Sequence, residues 1–143
     1  MNRIVVDASV AVKWLPLFVR EELVDRAELL LRRLANDEIS LIVPELFWLE
    51  ISNALCKAVR RKDCSPFEAD QALVEIQLVS LETLPSIDLV NTAQEIAIQY
   101  GRSIYDSLYI ALARSTCSEF ITADEKLANA VAAYLPVKWL GAM

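Results

Sequence analysis

Four acidic residues stand at positions where their carboxylates could do chemistry together: Asp7, Glu50, Asp106 and Asp124. Asp106 begins an almost wholly apolar stretch at residues 104–114, and Glu50 has apolar neighbours on both sides. Burying an unpaired charge is costly, and acids held close together repel one another unless a cation lies among them. Carboxylate oxygens suit hard divalent cations such as Mg²⁺ and Mn²⁺. The four acids are therefore candidate ligands of a divalent metal.

Each of these acids also has a purely structural interpretation. Asp7 and Asp124 each precede a predicted helix, where aspartate is a favoured N-cap. Thr122 could instead cap the second of these helices as the first residue of a capping box, and Asp106 could be the acid of another box. Glu50 could be a solvent-exposed helix residue. The residue types alone leave both interpretations open.

The composition excludes several other kinds of active site. The chain contains no histidine, which rules out Ser-His-Asp and Cys-His nucleophiles and imidazole-bound metals. Its two glycines, Gly101 and Gly141, are too few for a P-loop or a G-x-G-x-x-G dinucleotide-binding turn. The three cysteines form no C-x-x-C pair and no zinc-type spacing, which indicates reduced thiols in a cytoplasm.

Length and hydropathy predict a single domain over residues 1–143 with a real apolar core. Apolar residues make up 55% of the chain and the mean hydropathy is +0.35. The longest uncharged apolar run, residues 127–137, is too short to cross a membrane, and Asp7 and Lys13 interrupt any secretory signal. We therefore expect a cytoplasmic protein whose surplus apolar surface contacts another protein chain.

Strand-like and helix-like segments alternate along the chain and must position these acids. The strands are predicted at residues 3–6, 39–43, 81–84, 119–122 and 137–140. The helices are predicted at residues 8–15, 21–36, 44–62, 65–80, 88–100, 104–114 and 125–134. Such alternation indicates right-handed βαβ units and a mostly parallel sheet covered on both faces. Because sites form at the carboxyl ends of such strands, Asp7 and Asp124 fall on the functional edge.

Four segments of the chain resemble the motifs of the PIN-domain nucleases, in particular the VapC-like toxins of bacterial toxin–antitoxin pairs. They are Val5–Val10, Glu50–Leu55, Tyr105–Ala113 and Thr122–Leu127. Their order and separations also fit the family, and the resemblance covers essentially the whole chain. It implies a three-layer α/β/α sandwich, Mg²⁺- or Mn²⁺-dependent cleavage of RNA, a homodimer, and a protein antitoxin that covers the active site.

Roles for the acids follow from this resemblance together with the chemistry of phosphodiester hydrolysis. Asp7 and Asp106 are predicted to be the main metal ligands, with Glu50 and Asp124 completing the site directly or through waters. Because no histidine is present, a metal-activated water is the expected nucleophile. Three polar side chains are predicted to orient these carboxylates: Ser9, Asn53 and Thr122.

The formal net charge of −6 is unusual for an enzyme that acts on nucleic acid. Part of this charge is the acidic site itself, which a bound cation offsets. The predicted helix that carries Glu50 also carries Lys57, Arg60 and Arg61 on what the spacing indicates is the same face. They could form a cationic rim that holds RNA phosphates, or they could complement the dipole at the end of that helix.

Two other functions fit parts of the pattern. A catalytically inactive PIN-like binding scaffold would share the fold, although a scaffold has no reason to keep all four acids. A metal-dependent phosphatase or phospho-receiver domain would also place acids at strand ends. Those proteins need paired acids or an Asp-x-Asp at the first strand, and Asp7-Ala8-Ser9 supplies neither.

Overall fold

The computed structural model describes residues 2–143 of the chain. Its strands are β1 (Asn2–Val6), β2 (Ile39–Pro44), β3 (Leu81–Leu84), β4 (Glu119–Thr122) and β5 (Val137–Trp139). Its α-helices are α1 (Ala8–Ala11), α2 (Val24–Ala35), α3 (Leu46–Arg60), α4 (Pro66–Gln77), α5 (Val90–Tyr100), α6 (Ile104–Ser115) and α7 (Glu125–Val131). Short 3₁₀ turns lie at Val12–Trp14, Pro16–Phe18, Ile87–Leu89 and Leu140–Ala142.

The five strands form one sheet in the order β3-β2-β1-β4-β5, and every pairing is parallel. The central strand β1 ends in Ile4, Val5 and Val6, which are all buried. Such continuous β-branched runs are typical of strands covered on both faces of a sheet. The parallel sheet predicted from the sequence is confirmed.

The connections between strands place helices on both faces. The chain runs from β1 to β2 to β3 in one direction, then crosses back over the sheet to β4 and β5. Because parallel crossovers are right-handed, this reversal puts α1–α4 on one face and α5–α7 on the other. Helix α6 packs against β1, β2 and β4 in the middle of its layer. The predicted three-layer α/β/α sandwich is therefore confirmed.

The reversal also creates a crevice at the carboxyl edge of the sheet. β1 and β4 are neighbours, but the chain leaves β1 towards β2 and leaves β4 towards β5. Ligand sites of open α/β sheets form at this kind of switch point. The backbone N–H of Asp7 donates to the carbonyl of Ile121 across it at 3.0 Å.

Several predicted boundaries are confirmed with their physical signals. The side chain of Ser65 accepts from the Glu68 N–H at 3.1 Å, and Glu68 Oε1 accepts from the Ser65 N–H at 3.0 Å, so the capping box at the start of α4 is present. Gly101 ends α5 at a φ of 62°, in the left-handed region that favours glycine. The predicted strands at 81–84 and 119–122 have the observed bounds.

Other predicted boundaries are wrong by a few residues. The helix predicted at 8–15 is α-helical only to Ala11 and tightens into a 3₁₀ turn before Pro16. The helix predicted from Pro44 begins at Leu46, because Pro44 ends strand β2 opposite Leu84. A proline lacks the N–H that would continue a ladder, so the end of a strand suits it. The helix predicted to reach 134 ends at Val131.

The apolar surplus of the chain divides between the core and the surface. The core includes Phe47, Tyr109 and Phe120, which are at most 1% exposed. The almost wholly apolar stretch at residues 104–114 is not completely buried, because in the first turn of α6 Ile104 is 39% and Tyr105 is 60% exposed. That turn projects from the sheet at the edge where the acids lie. No helix within residues 2–143 is long and apolar enough to span a membrane.

Candidate active site

All four acids predicted from the sequence line one cleft of about 360 Å³ at the carboxyl edge of the sheet. They come from four different places in the fold: the ends of β1 and β4, the first turn of α6 and the second turn of α3. Ser9, Asn53 and Lys57 line the same cleft. The structure therefore brings together acids that are up to 117 positions apart in the sequence, Asp7 and Asp124 being the extremes.

Asp7 is buried at the end of β1, and its carboxylate does not cap α1. Its Oδ2 instead accepts hydrogen bonds from the hydroxyls of Ser9 at 2.8 Å and Thr122 at 2.7 Å. The capping interpretation is therefore wrong for Asp7. Two hydroxyl donors on one oxygen fix the orientation of the carboxylate group.

The same two hydroxyls join the ends of β1 and β4. Ser9 Oγ accepts from the N–H of Ala123 at 3.2 Å, and Thr122 Oγ1 accepts from the N–H of Asp124 at 3.1 Å. Thr122 is therefore not the N-cap of α7, contrary to the capping-box alternative. Its hydroxyl links the backbone before Asp124 to the Asp7 carboxylate.

Asp124 and Asp106 both take part in helix starts, in different ways. Asp124 is the N-cap of α7, and its Oδ1 accepts from the Leu127 N–H at 3.1 Å. The capping interpretation is therefore correct for Asp124, which also lines the cleft. In α6 the cap is Ser103, whose hydroxyl accepts from the Asp106 N–H at 3.0 Å. The carboxylate of Asp124 thus stabilises the start of α7 while it faces the cleft.

Glu50 is held by Tyr109, a residue that the sequence analysis missed. The Tyr109 hydroxyl donates to Glu50 Oε1 at 2.6 Å, which joins α6 to α3. Tyr109 is 1% exposed, and its ring stacks on Phe120 with centroids 5.0 Å apart. A buried phenol needs a hydrogen-bond partner, and Tyr109 follows Asp106 by three residues on the same helix face. That spacing was the available signal.

The electrostatics of the cleft disfavour its negative charges. Burial raises the pKa of Asp7, although the hydroxyls of Thr122 and Ser9 oppose the shift. Burial also raises the pKa of Glu50, and the nearby carboxylates of Asp7 and Asp106 raise it further. Burial raises the pKa of Asp106 in the same way, with Asp124 adding to the effect. The acids therefore repel one another across the cleft, as expected of a site that a cation would stabilise.

The donor set fits a hard divalent cation. The four acids and the hydroxyl and amide groups beside them offer only oxygen ligands of the kind that Mg²⁺ and Mn²⁺ prefer. Within residues 2–143, no three acidic or cysteine side chains are spaced like a formed metal-binding cluster. An ion shared by three of the acids would require their side chains to approach one another.

The predicted cationic rim is divided between two surfaces. Lys57 lines the cleft with the acids, whereas Arg60 lines a groove between α3 and α4. The prediction that they share one face with Glu50 is wrong for Arg60, because ten residues at about 100° each turn it roughly 80° away from Glu50. Arg61 is exposed and lies beyond the last turn of α3. Asn53 lines the cleft without a side-chain hydrogen bond inside residues 2–143, so its orienting role stays a prediction.

Comparison with known proteins identifies relatives over most of the chain. A family model described as the PIN domain matches residues 4–132. A curated protein named Ribonuclease VapC3, from Pyrobaculum aerophilum, is 30% identical over 129 residues, which cover 89% of this chain and 93% of that protein.

Solved structures share the fold at lower identity. The structure of PAE2754 from Pyrobaculum aerophilum superposes with a TM-score of 0.71 and 20% identity, covering 99% of this chain and 91% of that one. VapBC2 from Rickettsia felis, bound to a promoter DNA fragment, gives 0.66 and 17%, with 96% and 98% covered. Mycobacterium tuberculosis VapC20, described as a sarcin-ricin loop cleaving toxin, gives 0.63 and 17%, with 92% and 95% covered.

The Tyr109–Glu50 hydrogen bond yields a prediction about stability. Tyr109→Phe removes only the hydroxyl and should lower the free energy of unfolding by about 1–2 kcal/mol, since a half-buried carboxylate loses its donor. Denaturant melts of Tyr109→Phe and of Tyr134→Phe, whose ring is 74% exposed, measure the difference. In a Glu50→Ala background Tyr109→Phe should cost much less. Equal losses in both backgrounds would contradict the pairing.

The raised pKa values yield a prediction about pH. A carboxyl whose pKa is raised by folding binds its proton more readily in the folded state, so the metal-free protein should gain stability as the pH falls through the folded pKa values towards the ordinary values of 3.8 and 4.5. Asp7→Asn should be more stable than the native chain at neutral pH and should gain less on acidification. Thermal melts in EDTA from neutral pH to about pH 5 test this. Asp70→Asn, at an exposed position of α4, is the control and should leave the pH dependence unchanged.

Proposed function

The chain belongs to the PIN-domain family, and on that premise we propose that it is a metal-dependent endoribonuclease, the toxin of a toxin–antitoxin pair. The observation that carries the proposal is the convergence of four acids in one cleft at the switch point of the sheet. The names of the relatives support the same substrate class, because one is a ribonuclease and another is described as cleaving the sarcin-ricin loop.

Asp7 and Asp106 would hold the cation, with Glu50 and Asp124 completing its ligands directly or through waters. When bound, a divalent cation supplies activation of water and neutralises the charge that develops on the phosphate. The protein supplies the positions of the carboxylates. The amide of Asn53 and the ammonium of Lys57, which line the same cleft, are available to contact the RNA strand.

The hydrogen bonds around the acids would keep the site organised before RNA binds. The hydroxyls of Ser9 and Thr122 both bond Oδ2 of Asp7, which restrains the carboxylate in one orientation. The Tyr109 hydroxyl bonds Oε1 of Glu50, so Oε2 is the oxygen that remains for a metal or a metal-bound water. Groups that orient ligands in this way commonly change metal affinity by 10–100-fold when they are removed.

The inactive-scaffold alternative is disfavoured by energetics. Burial and mutual repulsion raise the pKa values of three of the acids, so keeping them in the cleft costs stability. A binding scaffold gains nothing from that cost, whereas an enzyme recovers it when the cation binds. Family membership likewise disfavours a phosphatase or phospho-receiver.

Asp106→Asn tests the enzymatic proposal most directly. We expect it to lower the rate of RNA cleavage in Mg²⁺ or Mn²⁺ by at least about 100-fold, because it removes a ligand charge and not merely an orienting group. EDTA should abolish cleavage by the native chain. Circular dichroism should show an intact fold, and Asp70→Asn should cleave normally as the control.

Calorimetric titration with Mn²⁺ separates the enzyme from the scaffold. The native chain should bind Mn²⁺ and Asp106→Asn should bind it more weakly. Cleavage that persists undiminished in EDTA, or in Asp106→Asn, would refute a metal-dependent mechanism at this cleft. Absence of both Mn²⁺ binding and cleavage in the native chain would favour the scaffold.

The split of the cationic rim gives a matched pair of variants. Lys57→Gln should weaken RNA binding and reduce the log–log salt dependence by about 0.7, the value for one contact to a single-stranded phosphate. Arg60→Gln removes the same charge, but Arg60 lines the groove between α3 and α4. The salt dependence of RNA binding by this variant should therefore stay close to native. Fluorescence anisotropy over a range of salt concentrations measures both. Equal slopes in the two variants would mean that Lys57 makes no specific phosphate contact.

We also propose two protein partners, an antitoxin that covers the cleft and a second copy of the chain. Large apolar side chains remain exposed on α4 and α5, including Phe67 at 68%, Val74 at 52% and Ile98 at 75%. Sedimentation of the purified chain at micromolar concentration should give the mass of a dimer. A strictly monomeric chain would contradict the homodimer. A small protein encoded by the gene next to that of this chain should form a complex with the chain and inhibit its RNase activity.

A further inference from the structure

A shallow apolar depression adjoins the carboxylate cleft. It has a volume of about 330 Å³ and is lined by Leu46, Leu49, Glu50, Asn53 and Tyr105. Glu50 and Asn53 also line the cleft, so the two spaces share a wall. We call this space the Tyr105 depression. A ligand that occupies the cleft can extend directly into it.

The apolar side chains of the Tyr105 depression are exposed for a geometric reason. Leu49 precedes Glu50 on α3, and Tyr105 precedes Asp106 on α6. Consecutive side chains point about 100° apart around a helix. When Glu50 and Asp106 point into the cleft, the preceding residues Leu49 and Tyr105 therefore lie at its edge. Leu49 is 70% and Tyr105 is 60% exposed. Apolar groups gathered beside a polar cleft are typical of a binding surface.

We propose that the Tyr105 depression binds an unpaired nucleobase of the RNA strand whose phosphate lies in the carboxylate cleft. This inference rests on the proposed ribonuclease function and adds a base-binding subsite to it. The base stacks on the Tyr105 ring, and Leu46 and Leu49 form the apolar wall of the depression. The bound RNA must then be single-stranded at that position, because both faces of a base inside a duplex are already covered.

The chemistry of the two adjoining spaces matches the two parts of a nucleotide. A phosphate is charged and suits the cleft, where Lys57 offsets its charge and a cation, when bound, would offset it further. A base is planar and uncharged, and stacking on an aromatic side chain is favourable for every base type. Asn53 lies at the boundary, where its amide can donate to and accept from a base edge or a 2′-hydroxyl. The depression therefore suits a base better than a second phosphate.

Abasic scanning tests the proposal. The substrate is a short single-stranded oligoadenylate in which one nucleotide at a time lacks its base, and kcat/KM for cleavage is measured for each strand. For the native chain, one position next to the cleaved bond should be sensitive, with kcat/KM lowered about 10-fold, in the range of one lost stacking contact. Tyr105→Ala should lower kcat/KM for the intact strand by a similar factor. Its kcat/KM should then be the same with and without the base at that position.

Two further variants keep the test specific. Tyr105→Phe retains the ring and should retain both the rate and the abasic sensitivity. Tyr134→Ala removes a tyrosine that is 74% exposed and lines neither the cleft nor the Tyr105 depression, and it should behave like the native chain. Circular dichroism checks that each variant is folded.

The outcomes separate this inference from the proposed function. A native chain that cleaves no RNA refutes the function and the inference together. A native chain that cleaves RNA with no sensitive abasic position refutes the inference alone. Equal sensitivity in the native chain and in Tyr105→Ala also refutes it, because the base then rests elsewhere. If Tyr105→Ala cleaves RNA normally but loses affinity for a protein partner, the Tyr105 depression is a protein-docking surface and the inference is wrong.

Discussion

The buried carboxylate of Asp7 is the constraint on which the rest of the cleft depends. Its Oδ2 accepts two hydroxyls, one from the first turn of α1 and one from the end of β4, and each hydroxyl also accepts a backbone N–H of the β4–α7 connection. The charge therefore organises both chain segments that flank the switch point. The neighbouring carboxylates repel this charge, so the site is held in place by hydrogen bonds and is electrostatically unfavourable. A divalent cation would relieve that repulsion.

Helix α6 concentrates several tasks in its first two turns. Asp106 lines the cleft, the Tyr109 hydroxyl donates a hydrogen bond to Glu50, and Tyr105 lines the adjoining depression. The helical repeat explains the division, since positions three apart share a face and adjacent positions do not. Its later residues, from Ile110 to Ala113, are buried against the sheet. The anchored end of the helix thus fixes the position of the end that faces the cleft.

Most of the fold could be predicted from the sequence, because short β-branched runs alternate with amphipathic helices and each pattern has its own period. The four acids could be identified as candidates for the same reason, since strand ends and motif spacing mark them. Local patterns could not tell which of Asp7 and Asp124 caps the helix that follows it, because both residues follow strands. The hydroxyl that distinguishes them, on Thr122, lies 115 positions from Asp7. Tyr109 was missed because its partner Glu50 is 59 positions away. Arg60 was misplaced although its ten-residue separation from Glu50 already places it about 80° away on a regular helix.

The crossover that returns the chain from β3 to β4 has a consequence for synthesis. Chain segments emerge from the ribosome in order, so β1 must wait for residues 119–122 before its second edge is paired. Until then Asp7 lacks Thr122, one of its two hydroxyl donors, and the cleft lacks Asp124. Contacts so far apart in sequence form late because loop closure must precede them. A nascent chain that stops short of β4 therefore lacks a complete cleft, which forms only after most of the sandwich has been translated.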